Sequence, residues 1–439
     1  MDVVQKLVQQ LVRWNQQRLT MNSPTPTESA IVVGAGVIGI ASAHYLSNAG
    51  MQVTVIDRYR IGAGCSLGNC GYISPSHVLP LTEPEAIGVA LKSLLNPNAP
   101  FRVKPRLSLH QWKWFWEFTR RCNRRQMLAA GKHLKAILDS SMSEYRSIVA
   151  EQKLSCQWKE TGLLYVLQST AGMRAFSHTE RFLAEHFGVS SEQIRGGELT
   201  DFDTALKPGL AGAYYFPGDA SVRPDLLCSS WSNQLKSRGV KFIENCELQN
   251  VSKTSGKITG VQTSHGPMTA DHYVLATGAK SVLLSKELGC RIPIEPGKGY
   301  SVTMARPNRC PQHPMLFPEH KVGVSPFDDG YRLGSMMEFV GFDESIPERR
   351  IEQLRRSAKP YLVEPYTPGK QEPWFGWRPM TWDSLPIIGQ VPRLSNAFLA
   401  TGHNMLGLSL ATATGKLITE IIQGHPTHID ATAFSPSRF

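Results

Sequence analysis

Residues 30–59, AIVVGAGVIGIASAHYLSNAGMQVTVIDRY, restrict the fold more than any other stretch of the chain. Ile31–Val33 is an apolar, β-branched run, and Val53–Ile56 is a second of the same kind. Between them stand Gly34, Gly36 and Gly39 in G-x-G-x-x-G spacing, followed by residues that suit a helix. The first glycine permits a tight turn, the second lets a pyrophosphate approach the backbone, and the third lets the helix lie close on the sheet. The helix then opens at Val37 and Ile38, whose N–H groups are free for the phosphates. Asp57 closes the second strand, where a carboxylate accepts from ribose hydroxyls. A glycine turn used only for packing requires neither the second strand nor the terminal Asp. The segment therefore predicts a Rossmann-like α/β domain that binds a dinucleotide.

A second glycine-rich loop follows at once, with Gly62, Gly64, Gly68 and Gly71 inside GAGCSLGNCG. An NAD site does not need it. The loop suits an extended dinucleotide whose other half runs back along the protein, which predicts FAD, held non-covalently. Arg58, Ser66 and backbone amides would serve the pyrophosphate, and the Asn69-Cys70-Gly71 backbone would meet the flat ring with no side chain in the way. Cys65 and Cys70 are five positions apart, but the eight cysteines form no C-x-x-C pair and no His/Cys cluster. They read as free thiols in a reducing compartment, small fillers of volume, with no metal site.

At 439 residues and 41% hydrophobic the chain has material for a large core. Its net charge of +11 is spread along the sequence, which argues against a nucleic-acid partner. No window is apolar enough for a membrane span and no secretory signal is evident, so a cytoplasmic location is expected, with contact on the inner face of the membrane as an open addition. Residues 1–20 place Val4, Leu7, Leu11 and Trp14 on one helical stripe, and a Pro/Ser/Thr linker follows to residue 28. The helix reads either as a membrane-surface anchor or as a dispensable tail. The run LHQWKWFWEFTRRCNRR, 109–125, has the same two faces: an interfacial contact, or a core helix with a basic tail, the second being favoured because aromatics surround more than one side.

From residue 29 to the end the chain resembles the FAD-dependent D-amino-acid oxidase superfamily, and GNCGYISPSHVLP is most similar to the bacterial D-amino-acid dehydrogenases of small-subunit type. The resemblance rests also on ATG at 276–278, on G-x-R-P-x-T-x-D at 376–383, and on the glycine-rich GHNMLG at 402–407. It implies a glutathione-reductase-type FAD domain from 29–85, 211–285 and 373–439. An inserted α+β substrate domain, built on an antiparallel sheet, would come from 86–210 and 286–372. It places Leu248, Thr277, Gly278, Gly402, Met405, Leu406 and Gly407 around the cofactor. Cys70 replaces the usual alanine of the family, and Ser384 replaces the glycine of D-G-x-P.

The implied chemistry is oxidative deamination of a D-amino acid to a 2-oxo acid and ammonia, by hydride transfer from Cα to flavin N5. Electrons would pass to a quinone or another acceptor. An arginine with a tyrosine beside it suits the substrate carboxylate: Arg378 first, then Tyr300, then Arg332, with His403 orienting substrate or flavin. Two alternatives stay open. One is oxidation of D-proline, 4-hydroxy-D-proline, sarcosine or glycine; the other is a flavin-binding subunit without its own turnover.

Overall fold

The computed structural model describes residues 27–88 and 99–439. The expected helix at 1–20 and nearly all of the linker lie outside them. A six-stranded sheet forms around Ser29–Val33, in the order Ile387–Gln390, Ala397–Thr401, His272–Leu275, Ser29–Val33, Gln52–Ile56, Lys241–Ile243. All its pairings are parallel except that of the first strand with the second. Ala30–Val33 are buried, as continuous apolar runs must be when helices cover both faces. Helix Val37–Asn48 makes the crossover to Gln52–Ile56, and the C-terminal helix Gly407–Gln423 packs on it. Gly415 allows that approach, since a Cβ there would sit 2.5 Å from the Ala41 carbonyl oxygen. The long helix Arg124–Glu151 completes the layer through Ser141, 2.7 Å from Thr412.

A second, larger sheet carries the strands Gln371–Thr381, Ile294–Met304, Gly330–Phe339, Val322–Phe327, Met315–Phe317, Leu163–Leu167, Gly212–Phe216 and Glu192–Arg195 side by side. Phe101–Val103 lies along Gly330–Phe339. Its pairings are antiparallel apart from two, Met315–Phe317 with Leu163–Leu167 and Phe101–Val103 with Gly330–Phe339. The mixed α/β architecture is the expected one. The sheet nevertheless crosses two of the expected boundaries: Gly212–Phe216 pairs here, and Gln371–Thr381 spans position 373. Pairing partners far away in sequence, and not neighbours along the chain, decide a strand's sheet. Residues 239–268 alternate short β runs with turn residues, the pattern of a small meander, and their later part forms an antiparallel three-stranded sheet, Leu248–Thr254, Lys257–Thr263 and Gly266–Met268.

Helix Leu109–Arg121 shows why its two readings competed. Trp114, Phe115 and Phe118 pack into a core cluster with Phe339 and Met380, while Trp112 and Trp116 are 54% and 64% exposed. Among the described residues, no helix is long and apolar enough to cross a membrane.

Candidate functional site

The glycine turn sits at the carboxyl end of Ser29–Val33, where open α/β sheets bind ligands. Gly34 has φ +110°, and a Cβ there would lie 2.5 Å from the Ala276 carbonyl oxygen. Gly39 lies against the Gly34 carbonyl and Gly36 lies open toward Ser66. Val37 N–H, at the helix start beside Ile38, donates to Ser66 Oγ at 3.1 Å. Asp57 accepts from the backbone N–H groups of Ala35 (2.7 Å) and Tyr59 (2.8 Å). Burial raises its pKa against the pull of those two bonds. Cys246 N–H donates to the Asp57 carbonyl at 2.7 Å and so brings the strand opening at Leu248 to this end of the site. Arg58 stands at the rim, paired with Glu247 at 3.1 Å.

Two further turns close on the first. Thr277 and Gly278 are tied to the C-terminal loop by Ser281, Thr401 and the Gly278 carbonyl, in contacts of 2.8 to 2.9 Å. In that loop Gly402 has φ +73°, and Asn404 accepts from Thr381 N–H at 2.9 Å while its own N–H donates to Pro379 O at 3.1 Å. Met405 and Leu406 are half-buried, and the helix from Gly407 has no side-chain cap, so its first N–H groups remain free. His403 is buried and bonded to Thr414 Oγ1 at 3.0 Å; burial drives its pKa down to about 3, so the ring is neutral.

The loop carrying Asn69, Cys70 and Gly71 lies on the face of the large sheet. Arg332 pins it, donating to Leu67 O (3.0 Å), Asn69 O (2.6 Å) and Thr303 Oγ1 (2.8 Å), and Ser325 Oγ donates to Cys70 O at 2.5 Å. Cys70 Sγ fills the space above Gly334, and Trp374 covers Gly68. All eight cysteines are free.

Arg378 belongs to the same face. Its guanidinium lies over Gly299, and Nη1 donates to Met336 O at 2.6 Å. Among the described residues no carboxylate comes within ion-pair distance. Burial lowers its pKa, opposed by Cys65 and Cys70 nearby, yet guanidinium stays charged in proteins. Cys65, Cys70, Tyr72, His77 and Arg378 are enclosed by the protein and still keep some accessible surface, so each borders internal space, and Cys65 and Cys70 border the cavity beside Arg378.

Two expected substrate residues do not join Arg378. Tyr300 follows Gly299, so it points to the opposite face, where its hydroxyl donates to Glu338 at 2.5 Å; Glu338 is held in turn by Arg350 and Arg102. Arg332 shares the right face, but its Nη1 donates to the loop and its Nε to Thr303. Sequence reasoning passed over three residues that stand on these elements, Asn404, Trp374 and Ser301. Asn404 had a signal, a polar residue inside a glycine-rich turn. Trp374 and Ser301 had another: they alternate in phase with Gly376 and Arg378, and with Gly297 and Gly299.

A ligand that suits these elements carries a pyrophosphate for the first turn, a ribose for Asp57 and a flat ring for the glycine backbones that open on the cavity. FAD fits that description, and the class is an FAD-dependent oxidoreductase. The chain belongs to the FAD dependent oxidoreductase (DAO) family, whose model matches residues 29–421. It is 31% identical over 415 residues to a D-amino acid dehydrogenase of Neisseria meningitidis, covering 93% of this chain and 99% of that one. It is 31% identical over 408 residues to a D-amino acid dehydrogenase of Vibrio vulnificus, covering 90% and 96%. In fold it is similar to glycine oxidase from Geobacillus kaustophilus, with a TM-score of 0.74 and 20% identity over 94% of this chain and 100% of that chain.

Proposed function

We propose that this enzyme oxidises a D-amino acid to the imino acid, which water converts to the 2-oxo acid and ammonia. The observation that carries the reading is Arg378: a half-buried guanidinium on the inner face of the large sheet, with no carboxylate within ion-pair distance among the described residues. A buried charge without a partner is costly, and a ligand carboxylate removes that cost through charge-assisted bonds. The names of the relatives at 31% identity supply the amino acid. Bound FAD supplies the acceptor for two electrons and needs no side-chain nucleophile.

The residues of this chain do the rest. Arg378 fixes one end of the substrate, so the α-carbon is presented at a set distance from the ring. Trp374 and the loop pinned by Arg332 wall the cavity against water. Gly34, Gly36, Val37, Ile38, Gly39, Asp57, Ser66 and Leu248 would hold the nucleotide half; Asn69–Gly71, Thr277, Gly278 and Gly402–Gly407 would hold the flavin half. No cysteine lies after residue 310, so the C-terminal loop offers no thiol for covalent attachment.

Electrons must leave again. Leu107, Leu109, Trp112 and Trp116 are exposed within ten residues, among exposed Lys104, Lys113 and Arg120. This supports docking on an anionic membrane surface and a membrane-soluble acceptor such as a quinone. The protein should sediment with anionic vesicles at low salt, and a Trp112→Ala/Trp116→Ala variant should stay in the supernatant. Equal sedimentation of the two would remove that face as the contact.

Anaerobic titration of the flavin-loaded enzyme tests the main reading. Bleaching by D-amino acids and not by L-forms is expected, and slow recovery in air would mark a dehydrogenase. Bleaching only by glycine, sarcosine or D-prolines would favour the imino-acid alternative, to which the fold likeness to glycine oxidase lends support. No bleaching by any of them, with flavin bound, would leave a subunit without its own turnover.

A further inference from the structure

Ser301 lies in the row Trp374, Ser301, Gly334, Gly323, where each residue is the direct cross-strand partner of the next. Direct partners point to one face, so Ser301 faces the loop, on the side of the sheet that carries Arg378. Its neighbours can be named. Two residues back on the strand, Gly299 carries the Arg378 guanidinium above it; across the strand, Gly334 carries Cys70 Sγ. A Cβ on Gly334 would sit 3.3 Å from Ser301 Cβ. Ser301 therefore stands on the sheet between the guanidinium and Cys70.

The residue is 1% exposed, and among the described residues its hydroxyl has no hydrogen-bond partner. Two other hydroxyls of this face are in use: Thr303 accepts from Arg332 at 2.8 Å, and Ser325 donates to Cys70 O at 2.5 Å. Buried hydroxyls are normally bonded, and one left over beside a binding site marks a place where a ligand atom belongs. Arg378 has already committed one N–H of Nη1 to Met336 O. A carboxylate accepts about four hydrogen bonds, more than the remaining guanidinium edge delivers.

We infer that Ser301 is a substrate-contacting residue whose hydroxyl donates to the carboxylate held by Arg378. The inference rests on the amino-acid reading above and assigns its carboxylate a second donor. Tyr300, one position away, cannot take this role because it faces the other side of the strand.

The test uses the flavin-loaded enzyme with Ser301→Ala and, as a second variant of similar volume and poorer donor strength, Ser301→Cys. Flavin content and spectrum are checked first. The probe is benzoate, a redox-inert carboxylate, titrated by the change in flavin absorbance. Its Kd should rise about tenfold in Ser301→Ala, as for the loss of one hydrogen bond to a charged group, and by less in Ser301→Cys. With the D-amino acid that bleaches wild type fastest, KM should rise by a similar factor while kcat stays within about twofold. Unchanged benzoate affinity and KM in both variants would overturn the inference and leave the Arg378 reading intact. If wild type itself responds to neither benzoate nor any amino acid, the amino-acid reading falls and the inference with it.

Discussion

Arg378 carries a full charge in the interior with one backbone carbonyl and two thiols for company, so its replacement should be felt in binding before stability. Arg378→Met should lower kcat/KM by a hundredfold or more, about 3 kcal/mol, and Arg378→Lys should recover part of that, because a point charge cannot reproduce the planar fork. Steady-state kinetics at saturating acceptor would show it; a loss under threefold for Arg378→Met would remove the residue from the site. Ser384 raises the opposite expectation. It has φ +62°, its hydroxyl is buried without a partner among the described residues, and the family resemblance predicts glycine there. Ser384→Gly should stabilise the protein by about 1 kcal/mol through relief of the left-handed conformation, readable in the denaturation midpoint.

At the level of elements, the segment after Gly71 is held by Asp219. Its carboxylate accepts from Ser76 N–H (3.1 Å) and Ser76 Oγ (2.7 Å), next to the short pairing of Tyr72–Ile73 with Ala220–Ser221. Burial pushes its pKa from 3.8 up to about 7. A raised carboxylate pKa means that the folded chain binds more protons than the unfolded chain between those two values. Stability therefore falls as pH rises from about 4 to about 7, by up to about 4 kcal/mol from this group, and is level above. The difference between wild type and Asp219→Asn, followed by urea unfolding across that range, should carry this slope. His403 works the other way, since its lowered pKa removes stability as pH falls from 6.5 toward 3. The subtraction cancels it. A pH-independent difference would show that Asp219 is ionised in the fold.

For the whole molecule, the cofactor should act as a structural tie. Its proposed contacts come from residues 34–71, 248, 277–278 and 402–407, which meet only in the folded chain. Removing FAD should lower the melting temperature, and adding it back at a hundred times its Kd should restore about 2.7 kcal/mol. No change in melting temperature on reloading would contradict a site assembled from these segments.

Much of the nucleotide end was legible because its signal is local. Gly34, Gly36, Gly39 and Asp57 act through spacing within one strand–turn–helix–strand unit, and the turn's φ and the close approach of the helix demand those residue types wherever the unit occurs. The antiparallel meander at 248–268 was legible for the same reason. The rest of the site depends on which face a side chain takes and on what stands opposite. Side chains alternate along a strand, so a step of one residue exchanges Tyr300 for Ser301 and sends the expected ligand to the far face. Arg332 and Arg378 read alike as strand arginines, and neither has an ion-pair partner among the described residues; only the loop lying over the sheet separates the one that donates to that loop from the one that donates to a single strand carbonyl. By itself the sequence determined the cofactor fold and the nucleotide turn. The tertiary structure decided which side chains reach the cavity, because facing, burial and charge partnership come from strands and loops paired across long stretches of chain.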